Sequence, residues 1–157
     1  MKLKDVAEVI KGVYLTEGTK SKKNKLYKEL SMVSLEPISF LDERKLLEIH
    51  PEKSVLKKQL TKAGDVIVSL YYPMIACYVE KGQEGYVVPH YMAIISPKPR
   101  TRMDSRFIVQ FINSSYGRRL LTKKANAYTH ARPTTLPLAI LNLVELTPSS
   151  AQIADML

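Results

Sequence analysis

Covalent or acid–base chemistry in this chain would have to be built from one cysteine, three histidines and scattered carboxylates. A nucleophilic cysteine needs a histidine partner and an electropositive, partly exposed setting. Cys77 lies in MIACYVE (74–80), an apolar run that reads as a strand, so it is expected to be a buried and inert thiol. His50, His90 and His130 sit in different segments and share no ligand spacing, so no metal site is expected. Glu43-Arg44-Lys45 matches the acid–x–lysine pair of metal-dependent nucleases, but no aspartate stands upstream at a useful spacing. The six glycines form no phosphate-cradling loop, and no Asn/Asp-Pro-Pro-aromatic methyltransferase motif is present. No catalytic residue, metal or cofactor is expected.

Charge points elsewhere. The 157 residues carry 24 Lys+Arg against 15 Asp+Glu, a net charge of +9. Residues 20–28 hold Lys20, Lys22, Lys23, Lys25 and Lys28 with no acid. Residues 98–132 hold Lys98, Arg100, Arg102, Arg106, Arg118, Arg119, Lys123, Lys124 and Arg132 against Asp104 alone, while acids prevail slightly elsewhere. Basicity gathered into two stretches suits a polyanion-binding face. The alternative is a solvated surface, with Arg118, Arg119, Lys123 and Lys124 complementing a helix dipole.

The elements that would position these groups follow from periodicity. Leu3, Val6, Ala7 and Ile10 predict a short amphipathic helix over 3–10, stopped by Gly12. Residues 13–29 read as an exposed loop and 30–36 as extended chain; 40–50 fits either a helical turn or a polar loop. VIVSL (66–70), MIACYVE, GYVVP (85–89) and YMAIISP (91–97) predict an antiparallel sheet or small barrel-like unit. The prolines of 97–103 predict irregular chain, and Asp104 an N-cap. A helix should follow through 104–125 on the stripe Ile108, Ile112, Tyr116 and Leu120, with the four cations at its C-terminal end. A polar loop over 125–135 and a last strand over 141–146 complete the reading, an α+β fold with a mixed or antiparallel sheet and flanking helices. No run reaches the ~18–20 apolar residues of a membrane span. With one cysteine, a soluble cytoplasmic protein is expected.

The order of motifs resembles one target-recognition domain of the type I restriction-modification specificity subunits. KLKDVAEVIKG (2–12) stands for the opening Leu-x-Asp-Val/Ile-Ala piece and LTKAGDVIVSL (60–70) for the central Gly-Asp strand. DSRFIVQFINSSYGRRLLTKKA (104–125) stands for the long helix, and LNLVELTPSSAQIADML (141–157) for the closing strand, turn and helix start. Thr147-Pro148-Ser149-Ser150 replaces the usual Pro-Leu-Pro-Pro-Leu, and ANAYTHA (125–131) lacks the usual glycine. The resemblance implies a DNA-binding domain over 1–147 and the start of a truncated spacer helix over 148–157.

It further implies a non-catalytic part that reads one half of a split duplex target. Its implied partners are double-stranded DNA, a methyltransferase (modification) subunit, a restriction subunit and a second copy of itself, with DNA methylation and cleavage carried by the partner subunits. Base reading needs hydrogen-bonding side chains on a supported loop. The first candidates are therefore Asn126, Tyr128, Thr129, His130 and Arg132, and the second His90 and Tyr91 at a strand junction. Lys20, Lys22, Lys23, Lys25, Lys98, Arg100 and Arg102 are the candidate phosphate contacts. Two other readings stay open. One is an RNA- or single-strand-binding sheet carrying Tyr71, Tyr72, Tyr78, Tyr86 and Tyr91; the other is a protein-interaction or decoy subunit of a restriction complex.

Overall fold

The computed structural model describes residues 1–16, 25–128 and 134–146, apart from the side chain of Tyr128. In chain order the elements are α1 (Leu3–Val6), β1 (Ala7–Lys11), β2 (Tyr27–Glu29), β3 (Leu47–Ile49), β4 (Val66–Ser69) and β5 (Ala76–Tyr78). β6 (Met92–Pro97), α2 (Ser105–Asn113), α3 (Ser115–Tyr128) and α4 (Leu138–Asn142) come after them. Single 3-10 turns lie at Met32–Ser34, Glu43–Lys45, Lys57–Gln59 and Pro99–Thr101.

Three of the four apolar runs become the neighbouring strands β4, β5 and β6. The main sheet has the order β1-β6-β4-β5 with every ladder antiparallel. Successive side chains point to opposite faces of a strand. Val66, Val68, Ala76, Ala93 and Ile95 accordingly pack with residues of all four helices. Ile67, Cys77, Met92 and Ile94 pack on the other face with Leu30, Leu35, Leu41 and Val88. Both faces are covered, which is why VIVS is apolar without alternation. The fold is α+β, as the periodicity implied. The expected run at 85–89 makes only single bridges, Val87 to Glu29 and Leu60, and Pro89 to Val13.

Several local expectations are corrected. The helical stripe over 3–10 ends at Val6, because Ala7 turns extended and 7–11 pairs residue by residue with β6. Gly12 is no helix stop: a Cβ there would lie 1.9 Å from the Pro89 carbonyl oxygen, so only glycine permits this approach. Residues 30–36 contain a 3-10 turn, while 40–50 resolves into a turn capped by Asp42 and then β3, which pairs with β2. The expected strand over 141–146 is instead the end of α4 and then a single bridge, Lys2 to Glu145, with Leu141, Val144 and Leu146 buried.

One more correction bears on the site. The expected helix over 104–125 is two helices. Asp104 caps α2 as predicted, its carboxylate accepting from the Arg106 N–H at 2.8 Å. Ser114 then breaks the helix with ψ 159° and caps α3, its hydroxyl accepting from the Gly117 N–H at 3.0 Å. Gly117 is needed here, since a Cβ would meet the Phe111 carbonyl oxygen at 1.9 Å. α3 continues to Tyr128, so 125–128 is helix and not loop. Ala125 is buried against the core and holds that last turn down.

Candidate nucleic-acid interface

The end of β4 and the start of β6 lie together, Ser69 standing opposite Met92. The residues that leave these strands form an aromatic row. Tyr71 stacks on Tyr91 with ring centres 5.5 Å apart. His90 meets Tyr91 edge-on at 5.3 Å, and Tyr14 meets His90 edge-on at 5.2 Å. The backbone fixes the row: the Leu70 N–H donates to the Tyr91 carbonyl at 2.9 Å, and the Ser69 hydroxyl donates to the Tyr71 carbonyl at 2.7 Å. Tyr14 is 71% exposed. Burial, with a smaller contribution from Glu29, raises the pKa of the Tyr91 hydroxyl, which remains a neutral hydrogen-bond donor at neutral pH.

The same end receives the chain returning from α3. The Tyr72 N–H donates to the Thr134 carbonyl at 2.9 Å and the Leu136 N–H to the Leu70 carbonyl at 2.7 Å. Asn126 is exposed on the last turns of α3. With Tyr72, Arg118, Arg119, Thr122 and Lys123 it lines an open cavity of about 500 Å³.

One described member of the first candidate group, Asn126, is thereby brought to the same end of the sheet as the second pair. His90 and Tyr91 are joined through Tyr71–Tyr72 to Thr134, where the described chain resumes after α3, and Asn126 stands beside Tyr72. Tyr128 closes α3, whereas Thr129, His130 and Arg132 lie outside the described residues.

Of the candidate phosphate contacts, Lys20, Lys22 and Lys23 also lie outside them. Lys25 is exposed, its ammonium 5.3 Å from the ring centre of Tyr27. Lys98, Arg100 and Arg102 are exposed but are not brought to the aromatic row. They come after the far end of β6, about 20 Å of strand away. Their turn is pinned to α1, the Lys98 ammonium donating to the Lys4 carbonyl at 2.9 Å and the Lys98 N–H to the Val6 carbonyl at 2.8 Å.

Sequence reasoning placed Arg118, Arg119 and Lys123 in a basic stretch and Tyr72 in the single-strand reading, but named none of them as a candidate contact to duplex DNA. The available signal was the complete absence of Asp and Glu between Asp104 and Glu145. The five tyrosines of the single-strand reading do not share an open sheet surface: both sheet faces are covered, and Tyr78 lies beneath the Arg106 guanidinium at 4.4 Å. Cys77 is buried in β5, and burial pushes its thiol up to about 12, which leaves it unreactive. Among the described residues no group of three His, Cys, Asp or Glu is placed to hold a metal, and no helix is long and apolar enough to cross a membrane.

The chain matches no family model and no curated protein. In fold it is similar to the HsdS subunit from Thermoanaerobacter tengcongensis, with a TM-score of 0.63 at 13% identity. It is equally similar to a chain in a structure on complex assembly and conformational transition of the type I R-M system, with a TM-score of 0.63 at 11% identity. Each comparison covers 91% of this chain and 35% of the other, so the chain spans about a third of the length of either.

Proposed function

We propose that this chain is a duplex-DNA recognition domain, reading one half of a split target as the specificity component of a type I restriction-modification system. The observation that carries the reading is the convergence of His90, Tyr91, Tyr72 and Asn126 at one end of the sheet. Direct readout needs such hydrogen-bonding groups on a rigid support. The likeness in fold to an HsdS subunit supports the same assignment.

In this reading residues 1–147 form the recognition domain and 148–157 begin the spacer helix. The domain is non-catalytic and works in the cytoplasm. Methylation and cleavage belong to a methyltransferase subunit and a restriction subunit docked beside it, and a second copy supplies the other half-site. Asn126, Tyr128, Thr129, His130, Arg132, His90 and Tyr91 contact bases. Lys20, Lys22, Lys23, Lys25, Lys98, Arg100 and Arg102 contact phosphates.

Retention of a randomised duplex pool at low and high salt, with sequencing of what is retained, tests this. Enrichment of one short motif, with retention falling steeply as salt rises, is the expected result. Retention without enrichment would remove the claim of sequence specificity. No retention at either salt would replace DNA recognition by a protein-interaction role.

A further inference from the structure

We infer that the groove between Tyr72 and the outward face of α3 clamps the phosphodiester backbone of duplex DNA through Arg118, Arg119 and Lys123; this rests on the DNA-recognition reading and adds to it a contact surface. Positions 118, 119, 122, 123 and 126 are linked by steps of three and four residues, so a helix carries them on one face. Leu121 and Ala125, on the adjoining side of the helix, are buried. The groove thus combines two guanidiniums, an ammonium, the Thr122 hydroxyl and the Asn126 amide, all groups able to donate to phosphate oxygens. Two guanidiniums also offer the forked geometry that binds phosphate in a bidentate way.

Helix stabilisation does not account for these cations. Because Ser114 breaks the helix, Arg118 and Arg119 stand four and five residues past the cap of α3, in its N-terminal half. The helix dipole puts positive potential at that end, where cations are disfavoured, and the last turn of α3 carries no basic residue. Internal pairing does not account for Arg118 and Lys123 either: neither forms an ion pair with a carboxylate among the described residues. Tyr72 forms the facing wall. It is 54% exposed, while its backbone is tied to Thr134, so its ring is available from a fixed stretch of main chain. Lys124, one residue further round the helix, does not line the groove and provides an internal control.

The test measures binding of the full chain to one fixed-sequence duplex by fluorescence anisotropy over a salt series. Each phosphate neutralised contributes about 0.9 to the slope of log affinity against log salt. The variant carrying Arg118→Gln, Arg119→Gln and Lys123→Gln should therefore lose about 2.7 from the wild-type slope. Lys124→Gln should leave the slope unchanged. Circular dichroism and a urea midpoint establish that each variant is folded; if the triple variant is not, the three single variants are read, each expected to lose about 0.9.

A wild-type chain that binds while the folded groove variants keep its slope would overturn the clamp and leave DNA recognition standing. An equal loss in Lys124→Gln would assign the effect to overall charge and overturn the clamp as well. A wild-type chain that does not bind duplex would overturn both.

Discussion

The cavity lined by α2 and the cavity lined by α3 are close in size, about 450 and about 500 Å³, yet they treat charge in opposite ways. In the first, the Arg106 guanidinium lies 4.4 Å from the Tyr78 ring centre and 3.7 Å from the Glu80 carboxylate. Asn113 spends its whole amide on the neighbouring chain: its Oδ1 accepts from the Ala76 N–H at 2.9 Å, and its Nδ2 donates to the Ala76 carbonyl at 2.7 Å and the Ser39 hydroxyl at 3.1 Å. The Arg106 charge and the Asn113 amide are thus matched from within, and the result is a joint between α2, β5 and the 36–41 loop. In the second, Arg118 and Lys123 have no carboxylate partner among the described residues. That leaves both charges open to an external anion, which the proposed clamp takes to be DNA phosphate. Volume does not separate the joint from the proposed interface; charge compensation does.

The strongest way to break this contrast is to remove the joint. Asn113→Ala strips the partner from both backbone groups of Ala76, which is fully buried. Leaving a buried polar group unpaired costs roughly 1–3 kcal/mol. The side chain also steadies Ser39, whose φ of 88° is a strained left-handed value for a residue with a Cβ. The urea midpoint of Asn113→Ala should fall accordingly, while the DNA affinity of the folded fraction stays at the wild-type value. A lost affinity at unchanged stability would make the first cavity an interface too.

That division of labour was only partly legible in the sequence, for reasons that particular residues show. β4, β5 and β6 were readable because their apolar runs lie close together along the chain, and the Asp104 cap because it depends on neighbours two residues away. Leu3, Val6, Ala7 and Ile10 misled because their helical spacing is local, whereas the pairing of 7–11 with 93–97 is not. The Ser114 break also escaped the periodicity, since the apolar stripe continues across it while the backbone does not. It moved Arg118 and Arg119 from the end of one helix to the beginning of another, which changed what their charge means. His90, Tyr91 and Asn126 could be nominated by type; their meeting through Tyr71 and Tyr72 depends on Leu70 bonding to both Tyr91 and Leu136. A contact across so many residues leaves no mark in a single sequence.

A smaller effect sharpens the comparison from the side of charge. Arg106→Gln removes a cation from the first cavity, where Glu80 already opposes it and both side chains are more than half exposed. Exposed pairs of this kind contribute at most about 1 kcal/mol, and the ring contact adds a similar amount at most. Stability should change slightly, and the salt dependence of duplex binding should not change at all. A fall in slope of about 0.9, the value for one phosphate contact, would show that compensation by Glu80 does not keep Arg106 off the DNA.

The smallest effects concern two carboxylates that show the same contrast within the core, with opposite signs. The Arg44 side chain holds Asp42 at about 2, its Nε and its second guanidinium nitrogen each 3.0 Å from a carboxylate oxygen, and the Arg44 N–H adds a third bond at 3.0 Å. A carboxyl depressed from 3.8 stabilises the fold above that value and stops doing so as pH falls through about 2. Asp65 is buried, accepts from the Ser96 hydroxyl at 2.8 Å through one oxygen, and has no partner on the other. Burial raises its pKa, so folding favours its protonated form: that stability is complete below the unfolded value and is lost as pH rises through the folded one. Urea midpoints measured from about pH 6 down to about pH 2 should therefore fall less for Asp42→Asn than for the wild type. Asp65→Asn should show the reverse, its advantage over the wild type being largest at the upper end of that range and shrinking as acid protonates the native carboxyl. Parallel curves for both variants would mean that neither carboxylate is distinguished by its partners, and charge compensation would lose its value as the mark that separates joint from interface.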